Sequence, residues 1–434
     1  MFRLDGKYTS ATIYIDDVEK TCIKQITQFI NHPAFTNHIA IMPDTHAGKG
    51  AVIGFTMPMT NKVIPNVIGY DIGCSILFVE IKPIEPTYEM EQIIRDVVPI
   101  GFDVCDTRQG DWENFLSFVN TKLQNFIYGY NIKFQTNYKV TETINEKWFE
   151  SKCKKIHLDV NRAYNSVGTL GGGNHFIEIG KSESSRMGLS IHSGSRKFGQ
   201  CICQYWQKVA TERMNDLKKE FQQNVIKQIR ENFKGSDIQR EINKHKALHS
   251  LDIKASDLDY LEGYDAFGYL CDMVVAQAYA KFNRKVICRN IVRALELYPI
   301  DLVETVHNYI NFDDLIIRKG AVSSYKGSKL VIPFTSKDGV TLCEGKSNPT
   351  WNYSAPHGAG RKFSRSKAKL KVSLDKYKSD MDGIITTSVS QSTLDEAPDA
   401  YKDPTVIKEL IKDTVDILET FKPVLVVKDK EVDK

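Results

Sequence analysis

Two hydrophobic periods share this chain, and the switch between them divides it. In the first part short apolar runs end in polar, Gly-rich segments. Thr12 to Ile15 reads as a strand, Asp16 or Asp17 as the cap of a helix with apolar positions Val18, Cys22, Ile23, Ile26 and Ile30, and His38 to Met42 as a second strand. That strand runs into Pro43-Asp44-Thr45-His46-Ala47-Gly48-Lys49-Gly50. The arrangement returns where Val63 to Ile68 meets Gly69-Tyr70-Asp71-Ile72-Gly73-Cys74 before an apolar strand from Ile76 to Ile81. It returns again where Gly168 to His175 precedes Phe176 to Ile179, and where Gly188 to Ile191 meets His192-Ser193-Gly194-Ser195-Arg196. Polar loops held between apolar strands are where binding and catalytic groups concentrate.

The middle of the chain takes the helical period. Met214, Leu217, Phe221, Val225, Ile229 and Phe233 recur every three or four positions, so Tyr205 to Phe233 predicts a long amphipathic helix stopped by Gly235. A second helical stretch is expected from about Leu258 to Leu297, broken near Lys281 to Lys285, and the charged segment Gly235 to Ser256 between the two reads as a mobile insertion. Strands and loops then resume through His307-Asn308-Tyr309, Arg318-Lys319-Gly320-Ala321 and His357-Gly358-Ala359-Gly360-Arg361. A helix of about fifteen residues and a Val-rich strand, Val424 to Val427, close the chain. Mixed strands with segregated helices predict an α+β fold.

Composition narrows the class. Of 434 residues, 58 are Lys or Arg and 54 Asp or Glu, a net charge of +4 with 41% hydrophobic content, which excludes a polybasic tail and an acidic disordered chain. Nine cysteines are too few for a disulfide scaffold and odd in number, so they are expected to be thiols or metal ligands in a reducing, cytoplasmic setting. Neither a signal peptide nor a membrane span is expected.

Five ligand-type residues stand in or beside such loops: Asp71, Cys74, His175, His192 and His307. A thiolate, three imidazoles and a carboxylate suit a borderline transition metal such as Mn, Fe, Co or Zn. Taken singly, each also reads as an ordinary buried thiol, turn former or core histidine. His357 lies in a loop of small residues with a cationic exit, where an imidazole has the chemistry to attack phosphorus. Arg361, Lys362, Arg365, Lys367, Lys369 and Lys371 follow it as a local basic block suited to a polyphosphate or a nucleic-acid backbone. Gly171-Gly172-Gly173-Asn174-His175 lacks both the P-loop ending and the dinucleotide fingerprint.

Read together, these segments resemble the RtcB family of RNA-splicing ligases. The resemblance rests on eight segments in order: Met42 to Gly50 with Ile53-Gly54; Ile64-Pro65 with Gly69 to Cys74; Gly168 to Glu178; His192 to Arg196; His307 to Tyr309; Arg318 to Ala321; His357 to Arg361 with Ser364-Arg365; and Asp395 to Pro398 with Tyr401-Lys402-Asp403. It implies one large domain over residues 1–434, of mixed, largely antiparallel sheets with flanking helices and a helical insertion at about 205–297. It further implies a GTP- and Mn²⁺-dependent ligase that joins an RNA 3′-phosphate or 2′,3′-cyclic phosphate to a 5′-hydroxyl, in tRNA splicing or RNA repair. An activating protein factor is an open partner.

By the same resemblance, His357 would take GMP from GTP, with Asp44 holding its ring. Cys74 would bridge two Mn²⁺ ions, one completed by His192 and His307 and the other by Asp71 and His175. Asn174, His175, Phe176, Ile177, Glu178, Asn308, His357, Gly358, Ala359 and Gly360 match guanylate-contacting positions, with Tyr401 and Lys428 near the base. Arg196, Arg361 and Arg365 would meet RNA or phosphate. Pro333-Phe334-Thr335-Ser336-Lys337-Asp338-Gly339 departs from the small-residue loop usual in the family, the charged Tyr205 to Ser256 segment is long for it, and Lys428 is followed by Asp429 to Lys434. A dimetal phosphoesterase acting on RNA ends without ligation is the alternative reading.

Overall fold

The computed structural model describes residues 1–48, 50–249 and 257–430. Two sheets carry the architecture. The first has six strands in the order Phe2–Asp5, Ser10–Ile13, Ile39–His46, Ile53–Pro58, Ile316–Lys319 and Asn308–Ile310. The second has seven, in the order Pro299–Val306, Ser75–Ile81, Met187–Ser193, Phe176–Ser182, Val415–Val427, Val340–Gly345 and Lys329–Pro333. Every pairing in the second is antiparallel, and in the first only Ser10–Ile13 with Ile39–His46 is parallel. The fold is α+β, as the sequence pattern predicts.

Alternation along the strands divides their two faces. In Phe176–Ser182, Ile177 and Ile179 are fully buried in an apolar cluster with Leu189, Ile191 and Leu425, while Phe176 and Glu178 face the other way. A small ribbon of Ala321–Ser323 with Ser354–Pro356 delivers His357 at its end, and the wholly buried Arg318 clamps it by donating to Ser354 Oγ at 2.8 Å and to Asp314 at 2.9 Å.

Several helices depart from the pattern-based expectation. Helix Lys20–Ile30 has Glu19 at its N-cap and no side-chain cap; Asp16 instead pairs with the amino group of Met1. The long helix begins at Arg196, nine residues early, and runs to Asn232; its first turns bury Phe198, Gly199, Cys201, Ile202 and Cys203 and leave Lys197 and Gln204 exposed. A further helix, Ser236–His249, occupies part of the segment read as a mobile insertion, and 250–256 lies outside the described residues. Helix Gly263–Ala294 is continuous, with no break at Lys281 to Lys285. The last helix is only Pro404–Leu410, and the strand after it covers Val415–Val427 because it pairs with strands on both flanks.

The polar residues that suggested a break in Gly263–Ala294 are the ones that bind this helix to the seven-stranded sheet. Arg284, 1% exposed, donates to the carbonyls of Gly73 and Ser193, both at 2.9 Å, and pairs with Glu304 at 2.7 Å. Asn283, fully buried, accepts from the amides of Gly168 and Thr169 and donates to the carbonyls of Thr169 and Gly194. One turn of helix therefore satisfies backbone groups of three segments, at Gly73, Gly168–Thr169 and Ser193–Gly194. Arg284→Met leaves part-buried Glu304 with Lys281 as its one remaining cation, at 3.0 Å, and the carbonyls of Gly73 and Ser193 without this donor, and it is expected to cost about 3 kcal/mol in denaturant unfolding, against a much smaller loss for exposed Lys285→Met.

Candidate active site

Antiparallel register brings the ligand-type residues to one end of the seven-stranded sheet. Ser75 pairs with Val306 on one side and with Ser193 on the other, so Cys74 and His307 stand just past the ends of adjacent strands. The amide of His307 donates to the carbonyl of Cys74 at 3.0 Å. His192 pairs with Ile76 and with Phe176, which sets His175 at the neighbouring strand start. Asp71 reaches the group from the loop before Cys74, and its Oδ1 accepts from the Ser195 amide at 2.9 Å. A Cβ on Gly194 would collide with the Asp71 carboxylate, so this approach requires glycine.

The donor atoms converge. Cys74 Sγ lies 3.2 Å from His192 Nε2 and 3.5 Å from His175 Nε2, and the Nε2 atoms of His192 and His307 are 3.2 Å apart. His175 Nδ1 donates to the Leu170 carbonyl at 2.9 Å, which leaves its Nε2 facing Asp71 Oδ2 at 3.0 Å. Burial first, and then neighbouring imidazoles, hold His192 and His307 well below the ordinary histidine range, so both are neutral. Burial alone would raise Asp71, but the hydrogen bond and charge of His175 outweigh it and set the carboxyl at about 2. Burial, then the Asp71 charge, push the Cys74 thiol well above its usual range. The neutral imidazoles of His192 and His307, the His175 ring and the Asp71 carboxylate, turned on one another and on sulfur, form a donor set that a cation completes, and the Nδ1 bond of His175 to a backbone carbonyl is the kind of outer-shell support that metal-binding histidines use.

His357 faces this group. Its ring centre is 5.0 Å from that of His307, and its Nδ1 bonds Asp44 Oδ2 at 2.7 Å. Asp44 is fully buried, in a stretch where pairing of Ile39–His46 with Ile53–Pro58 shifts register between Ile41 and His46. The local bulge aims the carboxylate inward. With Nδ1–H donated to a carboxylate, Nε2 keeps its lone pair. Gly360, at φ 74°, lets the loop after His357 lie against the Asp44 carbonyl, where a Cβ would clash.

A cavity of about 720 Å³ opens over His192, His307 and His357 and extends past Asn174, Phe176 and Asn308 to Glu178, Tyr401 and Lys428. At its far end Glu396 accepts from Lys428 at 2.7 Å and from the Tyr401 hydroxyl at 2.7 Å, and pairs with Arg365 at 2.7 Å and Arg361 at 3.2 Å. Burial opposes ionisation of Glu396, yet the charges of Lys428, Arg365 and Arg361 hold it well below the usual carboxylate range. Glu178 has the opposite environment. Its Oε1 is buried with no hydrogen-bond partner among the described residues, and burial pushes its carboxyl up to about 8 against the charge of Lys428.

Comparison with known proteins turns this geometry into a family assignment. The family model described as tRNA-splicing ligase RtcB matches residues 25–429. The chain belongs to the RtcB family. Similar relatives include the RNA-splicing ligase RtcB of Escherichia coli strain K12, 30% identical with 95% of each chain covered. The tRNA-splicing ligase RtcB of Nanoarchaeum equitans is 24% identical, with 91% of this chain and 89% of its own covered. The RNA-splicing ligase RtcB homolog 1 of Entamoeba histolytica is 25% identical, with 94% and 83% covered.

Within this RtcB fold, the residues expected from sequence to bind metal lie together, His357, Glu178, Tyr401 and Lys428 share the adjoining cavity, and Asp44 is buried behind His357. Ile177 does not reach it, since alternation turns its side chain into the core on the opposite face. Arg196 is directed away from the cavity, donating to Thr169 Oγ1 at 3.0 Å and to the Gly101 carbonyl at 2.8 Å. Arg361 and Arg365 border the cavity with their charge met by Glu396 and Asp395. Glu396, Asn283 and Arg284 are site-building residues that the sequence pattern alone does not single out; for Glu396 the signal was its place in the Asp395 to Pro398 segment.

Because Glu178 binds a proton in the fold that it loses in the unfolded chain between its ordinary value of 4.5 and about 8, stability falls as pH rises through that window. Glu178→Gln is expected to remove this slope, so that the variant gains on the wild type from pH 5 to about 8 in denaturant midpoints; parallel curves would contradict the buried, neutral carboxyl.

Proposed function

We propose that this protein is a GTP- and Mn²⁺-dependent RNA ligase that joins RNA 3′-phosphate or 2′,3′-cyclic phosphate ends to 5′-hydroxyl ends through a guanylylated His357. The observation that carries the reading is the 2.7 Å bond between buried Asp44 and His357 Nδ1, which leaves Nε2 as the nucleophilic atom in a cavity floored by His192 and His307. Membership in a family whose relatives are named RNA-splicing ligases supports the substrate class.

In this reading His357 Nε2 forms a bond to the α-phosphorus of GTP as the bond to the β-phosphate oxygen breaks, and pyrophosphate leaves. Asp44 keeps the Nδ1 proton and offsets the positive charge of the phosphoramidate. An RNA 3′-phosphate oxygen then takes GMP from His357, and the RNA 5′-hydroxyl attacks the activated 3′-phosphate and displaces GMP. A cyclic end is first hydrolysed to the 3′-phosphate. Glu178, with its unpartnered oxygen, and Lys428 offer an acceptor and a donor to the guanine edge, and Tyr401 adds an aromatic wall. Cys74, His192 and His307 would hold one Mn²⁺ ion, and Cys74, Asp71 and His175 would hold a second. Bound there, they would neutralise phosphate oxygens during transfer. The protein's own residues do the rest, with neutral imidazoles free to ligate and Arg284 fixing the loops of Cys74 and His192. A thiol ligand suits a reducing compartment, and an activating protein factor is compatible with it.

Incubation with α-labelled GTP and Mn²⁺ tests this directly. The wild type is expected to form an acid-labile adduct on His357. His357→Ala should lose the adduct and keep metal binding, Cys74→Ala should lose both, and Asp44→Asn should slow adduct formation about 10- to 100-fold. Absence of an adduct in the wild type, with cyclic-phosphate hydrolysis retained, would replace ligation by the phosphoesterase reading. Because Cys74 is a protonated thiol without metal, Mn²⁺ binding is also expected to release about one proton from it, read by calorimetry in buffers of different ionisation enthalpy. Equal release from Cys74→Ala would contradict a thiolate ligand.

A further inference from the structure

The basic block after His357 splits in two. Arg361 and Arg365 turn onto Asp395 and Glu396, and Lys369 approaches Asp395 at 3.7 Å. Lys362, Lys367 and Lys371 go the other way and gather round one ring. Their Nζ atoms lie 5.5, 5.9 and 5.2 Å from the centre of Phe363. All three are exposed, and none forms an ion pair among the described residues. Asp380, an acidic group of the neighbouring groove, is already paired with Lys337 and Lys376. The same groove is also lined by Asp16, Asp17, Asp338, Asp399 and Asp403, none of which pairs with these lysines among the described residues, so the three ammonium groups repel one another and a ring quadrupole relieves only part of that.

Phe363 itself is held firmly. Its ring packs on the cluster of Ala368, Tyr377 and Leu394, and its carbonyl accepts from Arg361 Nε at 3.2 Å. The Ser364 cap orients the helix Arg365–Lys371 so that Lys367 and Lys371, four apart, share one face. Phe363 also stands at a junction. It borders both the cavity of His357 and a groove of about 1190 Å³ along which Lys362 and Lys371 are placed.

From this geometry we infer that Phe363 with Lys362, Lys367 and Lys371 is a landing platform for single-stranded RNA leading away from His357. A base stacks on the part-buried ring as the lysines swing off it to meet the flanking phosphates, a combination that binds single strands without reading their sequence. The inference rests on the RNA ligase reading and adds where the strand leaves the reacting end.

The test is the affinity of the full-length protein for a short, internally labelled single-stranded RNA with a 3′-phosphate, titrated over a range of salt without GTP. Phe363→Ala is expected to weaken binding about tenfold and Phe363→Trp to restore it. Replacing Lys362, Lys367 and Lys371 together by Gln is expected to lower the slope of log affinity against log salt by about 2, near 0.7 for each phosphate contact. The lysine variant should still form the His357 adduct from GTP alone. Unchanged affinity and salt slope in both variants would overturn the platform. So would loss of the RNA-free adduct in the lysine variant, which would assign these cations to the GTP phosphates. Failure of the wild type to form any adduct strikes at the ligase reading alone, since the RNA titration is run without GTP and decides the platform independently.

Discussion

Ser75 opposite Val306, and opposite Ser193 on its other flank, is the register on which the site depends. Strand pairing has a strict period, so moving any of these strands by one residue would send its inward-facing side chains to the opposite face and separate Cys74 from His192 or His307. Four ligand-type groups from positions as far apart as 74 and 307 meet only because adjacent antiparallel strands end together. The loops beyond those ends are only partly held by strands, and Asn283 and Arg284 satisfy further backbone groups there from the helix that crosses the sheet. Backbone satisfaction and ligand placement are one problem here, solved by one turn of helix.

Burial sorts the charges into two chemistries within one cavity. At the sheet end it keeps His192 and His307 neutral and Cys74 protonated, a donor set short of positive charge. At the far end Glu396 meets three cations and stays ionised. Glu178, with only the charge of Lys428 against its burial, is pushed up to about 8 and keeps an open acceptor. A ligand bearing phosphates at one end and a hydrogen-bonding base at the other matches that division, and His357 lies where the two regions meet.

The α+β class and the loops that carry the site could be read from the sequence, because strands followed by Gly-rich polar segments are a local signal. What could not be read was set by partners distant in sequence. Asn283 and Arg284 looked like a helix break, since polar residues in an apolar run look the same whether they interrupt a helix or bind buried carbonyls. The first turns of Arg196–Asn232 were missed because Gly199 and the adjacent Cys201, Ile202 and Cys203 blur the helical period there. Ile177 sits between Phe176 and Glu178 in a segment matched to the nucleotide site, yet alternation sends its side chain to the core. The basic block looked uniform, and only Asp395 and Glu396, some thirty residues on, divide it into inward arginines and outward lysines.

The central claim is that the sheet end is a metal site facing a nucleophilic histidine. Anomalous diffraction at the manganese edge, from crystals grown with Mn²⁺ and GTP, tests it most directly. The account predicts anomalous peaks bonded to Cys74 Sγ and to the Nε2 atoms of the three histidines beside it, with continuous density from His357 Nε2 to phosphorus. Manganese bound elsewhere with none at Cys74, or phosphorus attached to another residue, would contradict it.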